Sequence, residues 1–234
     1  MDNLDAFLVA RPPTPNRPLL GTTVLVVEDS RFACEAMRLL CIKSGARIRR
    51  ADTLEHARQH LRVYRPSVVI VDIGLPDGSG EDLICELAQA SPRVDAILGT
   101  SGDPLGEDLA VAAGADGFLL KPVSGLAMFQ STILSLLPED RQPPGPRIVS
   151  NETVAPDTLA LRDDFAHVAE VLDTVNQNDV ETLSYVHQFL SGIARSANDQ
   201  ALSSALAQVP SNRKAARDYL CDVLKSRLDH PSPL

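Results

Sequence analysis

Short apolar runs that alternate with amphipathic stretches constrain the fold of this chain more than any other feature of its sequence. The runs span residues 24–27, 68–71, 96–98 and 117–120. They are rich in β-branched residues and lack polar alternation, which is typical of parallel strands covered on both faces. Residues 46–50 alternate instead, as a half-exposed edge strand does.

The amphipathic stretches predict helices over residues 30–43, 54–63, 80–89, 106–113 and 124–136. Ser30 and Thr53 suit helix N-caps, and Gly45 and Gly114 suit helix ends that need a positive φ. Five successive β-then-α units in about 115 residues predict an α/β fold with a doubly wound, five-stranded parallel sheet. In such a sheet the reactive site lies at the carboxyl ends of the strands.

Four of the predicted strands end in reactive side chains. These are Glu28 and Asp29 after the first strand, Asp72 after the third, Thr100 and Ser101 after the fourth, and Lys121 after the fifth. Clustered carboxylates repel one another unless a cation lies among them, and Mg²⁺ accepts such oxygen ligands. A carboxylate beside Mg²⁺ can attack a phosphoryl group, with Lys121 and a hydroxyl binding the phosphoryl oxygens. The cluster has no His base, so it does not indicate a hydrolase.

Three sequence segments that contain residues of this cluster resemble a known protein family. Residues 24–30 (VLVVEDS), 69–80 (VIVDIGLPDGSG) and 114–122 (GADGFLLKP) resemble the receiver domain of two-component response regulators. The resemblance covers residues 22–138. It implies a flavodoxin-like sheet with the strand order 2-1-3-4-5.

The resemblance also assigns roles within the cluster. It implies that Asp72 is the phosphoacceptor and that Lys121 is the lysine found throughout the family. It implies that Mg²⁺ is bound directly by Asp29, through water by Glu28 and through the backbone carbonyl of Gly74. Many relatives carry a polar side chain two residues after the phosphoacceptor, and its absence at Gly74 leaves the lifetime of the phosphorylated state open.

Two further roles concern the response to phosphorylation. Phe118 falls at the aromatic switch position, three residues before the lysine, and Pro122 is expected to follow a cis bond. The switch hydroxyl is Thr100 or Ser101, and Ser101 is favoured because a small residue, Gly102, follows it as in the family pattern.

Proline-rich stretches divide the chain. Four prolines between residues 12 and 18 predict a flexible tail over residues 1–21, and four more between residues 138 and 146 predict a linker over residues 139–149. Residues 22–138 are then the receiver domain. Residues 150–234 are predicted to form a small all-α interaction domain with helices over 158–176, 180–194, 200–208 and 213–228.

Charge argues against a nucleic-acid partner. The chain carries 22 Lys and Arg against 31 Asp and Glu, a net charge of −9, and residues 151–234 carry 7 basic and 12 acidic residues, a net of −5. A DNA-binding output domain presents a helix rich in basic groups. The sequence also shows no membrane span and no secretory signal, and its four cysteines have no metal-ligand spacing, which predicts a cytoplasmic protein.

One C-terminal segment weakly resembles the phosphohistidine helix of histidine phosphotransfer domains. There a glycine follows the histidine by four residues, whereas His187 precedes Gly192 by five. Alignment on Gly192 places Gln188 where the histidine belongs, and one residue rotates a helical side chain by about 100°. A phosphorelay through His187, a degenerate phosphotransfer-like docking bundle and an unrelated helical extension all stay open.

These observations predict a response regulator that accepts a phosphoryl group on Asp72 and signals by protein–protein contact without a DNA-binding output. It is a phosphoacceptor that phosphorylates itself from a donor with Mg²⁺, rather than an enzyme. The expected partners are a sensor histidine kinase or a histidine phosphotransfer protein, and the helical domain would supply docking, homodimerisation or inhibition. The alternatives are a relay intermediate that passes phosphate through His187 and a transcriptional regulator that acts through the helical domain.

Overall fold

The computed structural model describes residues 12–146, 149–174 and 179–229. A parallel sheet of five strands has the order β2-β1-β3-β6-β7. Its strands are β1 (Thr23–Val27), β2 (Arg47–Ala51), β3 (Val68–Asp72), β6 (Ala96–Ser101) and β7 (Gly117–Leu120). The two-residue strands β4 (Gly74–Leu75) and β5 (Gly78–Ser79) form a separate hairpin after β3. With this hairpin set aside, the order is the predicted 2-1-3-4-5.

Five helices cover the sheet, and their ends carry the predicted capping residues. They are α1 (Arg31–Ser44), α2 (Leu54–Val63), α3 (Gly80–Gln89), α4 (Gly106–Ala113) and α5 (Leu126–Leu136). The side chain of Ser30 accepts a hydrogen bond from the Ala33 amide, and the side chain of Thr53 accepts one from the His56 amide. Gly45 and Gly114 end α1 and α4 with φ angles of 85° and 104°. Both predicted N-caps and both predicted helix ends are confirmed.

The sheet separates two buried apolar clusters. Alternate side chains of a strand face opposite sides of a sheet, so Val24 and Val26 belong to one cluster and Leu25 and Val27 to the other. The first cluster packs on α1 and α5, and the second packs on α2, α3 and α4. This packing on both faces fixes the carboxyl ends of the central strands, where the predicted site lies.

Residues that flank the receiver motifs pack into the first cluster. Leu19 is fully buried and its amide donates to the carbonyl of Ser44 at 2.9 Å. Val154 is buried in the same cluster, and its amide donates to the carbonyl of Ser124 at 2.9 Å. Residues 12–21 of the predicted tail and residues around 154 therefore contact the receiver directly. Residues 1–11 of that tail lie outside the described residues.

Four helices follow in the C-terminal region, and we call them the C-terminal bundle. They are α6 (Thr158–Thr174), α7 (Val180–Ser196), α8 (Gln200–Leu206) and α9 (Arg213–Asp229). Their apolar faces meet in a third cluster that includes Phe165, Leu172, Leu190 and Leu220. The predicted end of the first of these helices, at residue 176, lies outside the described residues. Across the described part of the chain, no helix combines the length and apolarity needed to cross a membrane.

Candidate functional site

Three carboxylates meet at the carboxyl ends of β1 and β3. These strands are neighbours in register, with Val27 opposite Val71, so the residues that follow each strand come together. Glu28, Asp29 and Asp72 each offer an oxygen, and these oxygens lie within 4.8 Å of one another. Glu28 and Asp72 are buried. The structure thus brings together the acidic residues that the strand-end argument selected.

Lys121 joins this acidic cluster from the end of β7. Its Nζ lies 2.6 Å from Glu28 Oε2 and donates to Asp72 Oδ2 at 2.7 Å. The side chain is buried, which by itself lowers the pKa of an amine, but the carboxylates of Asp72 and Glu28 outweigh burial and raise the pKa of Lys121. The lysine therefore stays protonated. The peptide bond between Lys121 and Pro122 is cis, as the resemblance implied.

The carboxylates carry more charge than Lys121 neutralises. Three ionised carboxylates against one ammonium leave two negative charges in a largely buried site. Burial, followed by repulsion from Asp72, raises the pKa of Asp29 to about 7. Burial also raises the pKa of Glu28 well above its ordinary value, although Lys121 opposes the shift. This excess of buried oxygen ligands fits a divalent cation such as Mg²⁺, which Glu28, Asp29 and Asp72 would hold.

The two candidate switch hydroxyls differ in position. Thr100 is fully buried, and its hydroxyl donates to the carbonyl of Leu119 at 2.7 Å. Ser101 lines a cavity of about 260 Å³ together with Asp72 and Lys121, and its hydroxyl accepts from the Asp103 amide at 3.1 Å. Of the two residues that carry a candidate hydroxyl, Ser101 is the one that lines the cavity beside Asp72.

Phe118 lies next to Ser101, with Gly106 between the two side chains. A Cβ on Gly106 would lie 2.8 Å from Ser101 Cβ and 3.4 Å from Phe118 Cζ. The glycine therefore leaves space between the two side chains. Phe118 is half-buried and packs against the second apolar cluster. A shift of Ser101 would change the space that the ring can enter.

Two glycines shape the backbone around Asp72. The Gly74 amide donates to Asp72 Oδ1 at 3.3 Å. Gly80 begins α3, and a Cβ at that position would lie 2.0 Å from the carbonyl oxygen of Asp72. Gly80 belongs to the quoted motif, but its role as the residue that lets α3 approach Asp72 was not predicted.

Helix α7 of the C-terminal bundle lies across the opening of the site. The phenol of Tyr185 donates to Asp29 Oδ2 at 2.8 Å. The side-chain amide of Gln188 reaches Gly74 so closely that a Cβ there would lie 2.1 Å from Gln188 Nε2. A Cβ on Gly102 would likewise lie 3.1 Å from Arg195 Cδ. The sequence singled out Gln188 through the alignment on Gly192, but it gave no signal for Tyr185 or Arg195, which belong to an ordinary amphipathic helix.

Asp164 of α6 anchors the bundle at the start of α1. Its carboxylate accepts from the Ser30 hydroxyl at 2.8 Å, from the Arg31 amide at 2.8 Å and from the Phe32 amide at 3.1 Å. It is 2% exposed. The carboxylate thus satisfies helix N-terminal donors close to Asp29 of the acidic cluster. Nothing in the sequence distinguished it from the surrounding acidic residues.

His187 takes part in the bundle rather than in the acidic cluster. Its Nε2 lies 3.2 Å from the carbonyl of Leu206 on α8. Its side chain also borders the cavity that Asp72 lines, but the residue that reaches Gly74 is its neighbour Gln188. A relay through His187 stays a prediction.

Comparisons with known proteins agree with the geometry of the site. Residues 24–132 match the family model of the response regulator receiver domain. The KDP operon transcriptional regulatory protein KdpE of Escherichia coli K12 is 34% identical over 101 residues, which is 43% of this chain and 45% of that protein. The transcriptional regulatory protein PhoP of E. coli O157:H7 is 30% identical over 100 residues, which is 42% of this chain and 45% of that protein. The match spans less than half the length of these relatives.

A solved structure, the chemotaxis response regulator CheY4 of Vibrio cholerae, aligns with 50% of this chain and 98% of its own, at 22% identity and a TM-score of 0.44. The family match ends at residue 132, before α6 begins at Thr158. Residues 24–132, which make up less than half of the chain, are therefore similar to the response regulator receiver domain.

Proposed function

We propose that this chain is a response regulator that accepts a phosphoryl group on Asp72 in the presence of Mg²⁺. The observation that carries the proposal is the cluster of Glu28, Asp29 and Asp72, with Lys121 Nζ 2.7 Å from Asp72 Oδ2. An Asp72 oxygen attacks phosphorus, the bond from phosphorus to the donor's leaving group breaks, and an acyl phosphate forms on Asp72. The leaving group takes the bonding electron pair with it.

The residues of the site act on this transfer in different ways. Glu28 and Asp29 would hold the cation together with Asp72, and Mg²⁺ would supply positive charge to the phosphoryl oxygens. Lys121 pairs with an oxygen of the phosphoryl group once it is bound. The Ser101 hydroxyl donates to another oxygen, and its movement gives Phe118 room to turn inward. The change in surface would then alter partner preference by about 1–3 kcal/mol.

We infer that the chain signals by protein contact, in the cytoplasm, with a sensor histidine kinase or a histidine phosphotransfer protein. The acidic balance of residues 151–234, with 7 basic and 12 acidic residues, supports an output other than DNA binding. The names of the relatives keep a transcriptional role as the second candidate. Salt-dependent binding of the purified chain to duplex DNA would favour that second candidate.

The test is phosphorylation of the purified full chain by acetyl phosphate. With Mg²⁺ we expect one phosphoryl group by intact mass, sensitive to hydroxylamine as an acyl phosphate is, and none with a chelator. Asp72→Asn should remove it. Asp77→Asn is a matched control, because Asp77 lies on the neighbouring loop and accepts hydrogen bonds from the amides of Leu54 and Glu55. Retention of the label in Asp72→Asn would contradict the proposal.

A further inference from the structure

The C-terminal bundle covers the face through which a phosphodonor must reach Asp72. We propose that α7 is a size-selective cap: Mg²⁺ and small phosphodonors reach Asp72 beneath it, whereas a protein donor reaches Asp72 only after the bundle lifts away. The inference rests on the proposed phosphoacceptor function of Asp72. It adds a determinant of donor specificity that lies outside the receiver.

The cap makes contact along one face of one helix. Tyr185, Gln188 and Arg195 are spaced by three and seven residues, so they project from the same side of α7. They meet Asp29 after β1, Gly74 after β3 and Gly102 after β6, respectively. The three contacts therefore extend across the opening of the site, from the end of β1 to the end of β6.

The backbone of α7 comes close to the loop after β6 at Gly192 and Gly102, where neither segment has a side chain. A Cβ on Gly102 would lie only 3.8 Å from the Cα of Gly192. An α-helix with its side chains is roughly 10–12 Å across, so a second helix cannot occupy the place that α7 fills. A protein that presents a phosphorylated side chain from a helix is therefore excluded while α7 is in place.

The space that remains under α7 suits small molecules. The cavity of about 260 Å³ is lined by Asp72, Ser101 and Lys121 on one side and by residues of α7 on the other. One water needs roughly 10–15 Å³ of such space, so the cavity is large enough for several waters. That volume accommodates a partly hydrated cation and a donor such as acetyl phosphate, but no protein segment.

Polar contacts hold the bundle at the start of α1, which makes lifting feasible. Asp164 accepts three hydrogen bonds from the start of α1, and Asp163 pairs with Arg31 at 2.8 Å. Polar groups of this kind find water when an interface opens, unlike a large apolar surface. Asp164 is the buried anchor, whereas the side chain of Asp163 is 43% exposed and its ion pair is weak.

The rate at which a thiol under α7 reacts with small and bulky reagents measures how large a molecule can reach the site. Gly102→Cys supplies the thiol in a background with Cys85→Ser and Cys221→Ser, since the other two cysteines, Cys34 and Cys41, are buried. Iodoacetamide reports access for small reagents, and a maleimide carried on polyethylene glycol reports access for bulky ones. Asp164→Ala should raise the rate of the bulky reagent about tenfold and leave that of iodoacetamide within about twofold.

Asp163→Ala is the matched control, on the same helix and one residue away, and should change the bulky reagent's rate by less than about threefold. Tyr185→Phe provides a second, milder uncapping variant, because it removes one hydroxyl and should raise the same rate by about threefold to tenfold. Equal rates for both reagents in the parent protein would overturn the proposal. So would bulky-reagent rates that neither Asp164→Ala nor Tyr185→Phe increases.

A disulfide between Gly102→Cys and Gly192→Cys tests the small-donor half of the proposal, and intact mass under non-reducing conditions verifies that it has formed; a Cβ on Gly102 would lie 3.8 Å from the Cα of Gly192. Acetyl phosphate should label the oxidised, locked protein and the reduced protein at rates within about threefold of each other. Loss of labelling on oxidation, with labelling restored by a reductant, would overturn the proposal. Failure of the parent protein to be labelled at all would instead count against the function of Asp72, and the thiol assay would still report on the cap.

Discussion

The phenol of Tyr185 donates a 2.8 Å hydrogen bond to the carboxylate of Asp29, so a side chain of the C-terminal bundle occupies an oxygen of the receiver's acidic cluster. Burial and the negative charge of Asp29 raise the pKa of Tyr185, and the phenol therefore remains a donor. Tyr185 of the bundle and a divalent cation would therefore compete for the carboxylate of Asp29.

Removal of this hydroxyl should strengthen cation binding. In Tyr185→Phe the carboxylate of Asp29 no longer accepts a hydrogen bond from the phenol, so that the oxygen is free to bind the cation. We expect Mg²⁺ to bind about fivefold more tightly at pH 8. Calorimetric titration with Mg²⁺ measures the change. Tyr219→Phe is the control, because its hydroxyl donates to the carbonyl of Ala205 within the bundle and should not affect the affinity. Equal affinities for Tyr185→Phe and the parent would contradict the expectation.

Loss of the buried ammonium should destabilise the receiver. Lys121→Met leaves Glu28 and Asp72 buried without a counter-charge, and we expect the free energy of unfolding in urea to fall by about 3 kcal/mol at pH 8. The loss should shrink at pH 5, where the carboxylates take up protons. Lys43→Met is the matched control, since Lys43 pairs with the exposed Glu152, and should cost less than about 1 kcal/mol. A similar loss in both variants would argue against a special role for the buried pair.

Without a cation, the protein should become less stable as the pH rises. The pKa of Asp29 is about 7 in the folded chain and 3.8 in the ordinary state, so the folded protein binds a proton that the unfolded protein has released. This contribution is complete below pH 4 and is lost as the pH rises through about 7, by on the order of 2–4 kcal/mol. Glu28, whose pKa is also raised, acts in the same direction.

Urea unfolding in a chelating buffer between pH 5 and 8 measures this slope. Asp29→Asn should reduce it, because the amide does not titrate. Saturating Mg²⁺ should reduce or reverse it, because the cation binds the ionised carboxylates. An unchanged slope in Asp29→Asn would show that the pH dependence arises elsewhere.

A methyl group at position 80, at the start of α3, should displace the backbone of Asp72 and so disturb the acidic cluster. The Cβ of Gly80→Ala would lie 2.0 Å from the carbonyl oxygen of Asp72, a backbone atom that cannot move without its strand. We expect a loss of about 2–3 kcal/mol in the free energy of unfolding and slower labelling of Asp72 by acetyl phosphate. Gly125→Ala should change neither quantity appreciably, because its Cβ would meet only Met128 Cβ at 3.9 Å. Wild-type labelling and stability in Gly80→Ala would refute the argument.

The sheet and the acidic cluster followed from local sequence features. Short β-branched runs between amphipathic stretches indicate buried parallel strands, and the ends of such strands converge whatever the surrounding side chains are. This is why the sequence alone predicts that Glu28, Asp29, Asp72 and Lys121 lie together. The register of the neighbouring strands brings the side chains of these residues within contact distance of one another.

The position of the C-terminal bundle could not be predicted in the same way. The apolar spacing of α6 and α7 describes how these helices pack on each other, but not which receiver surface their polar faces contact. Asp164 illustrates the limit: an acidic residue in an acidic, amphipathic helix indicates solvent exposure, yet it is 2% exposed because α1 presents three donors to it. Its partners lie more than 130 residues away in the sequence.

The burial of Leu19 and Val154 has a practical consequence for anyone who dissects this chain. Both side chains fill the layer between the sheet and helices α1 and α5, yet both lie outside residues 24–132, which match the family. Trimming to the family limits would open an apolar hole on that side of the sheet and remove the backbone pairing at Ser124. A stable excised fragment therefore has to start before Leu19 and continue past Val154.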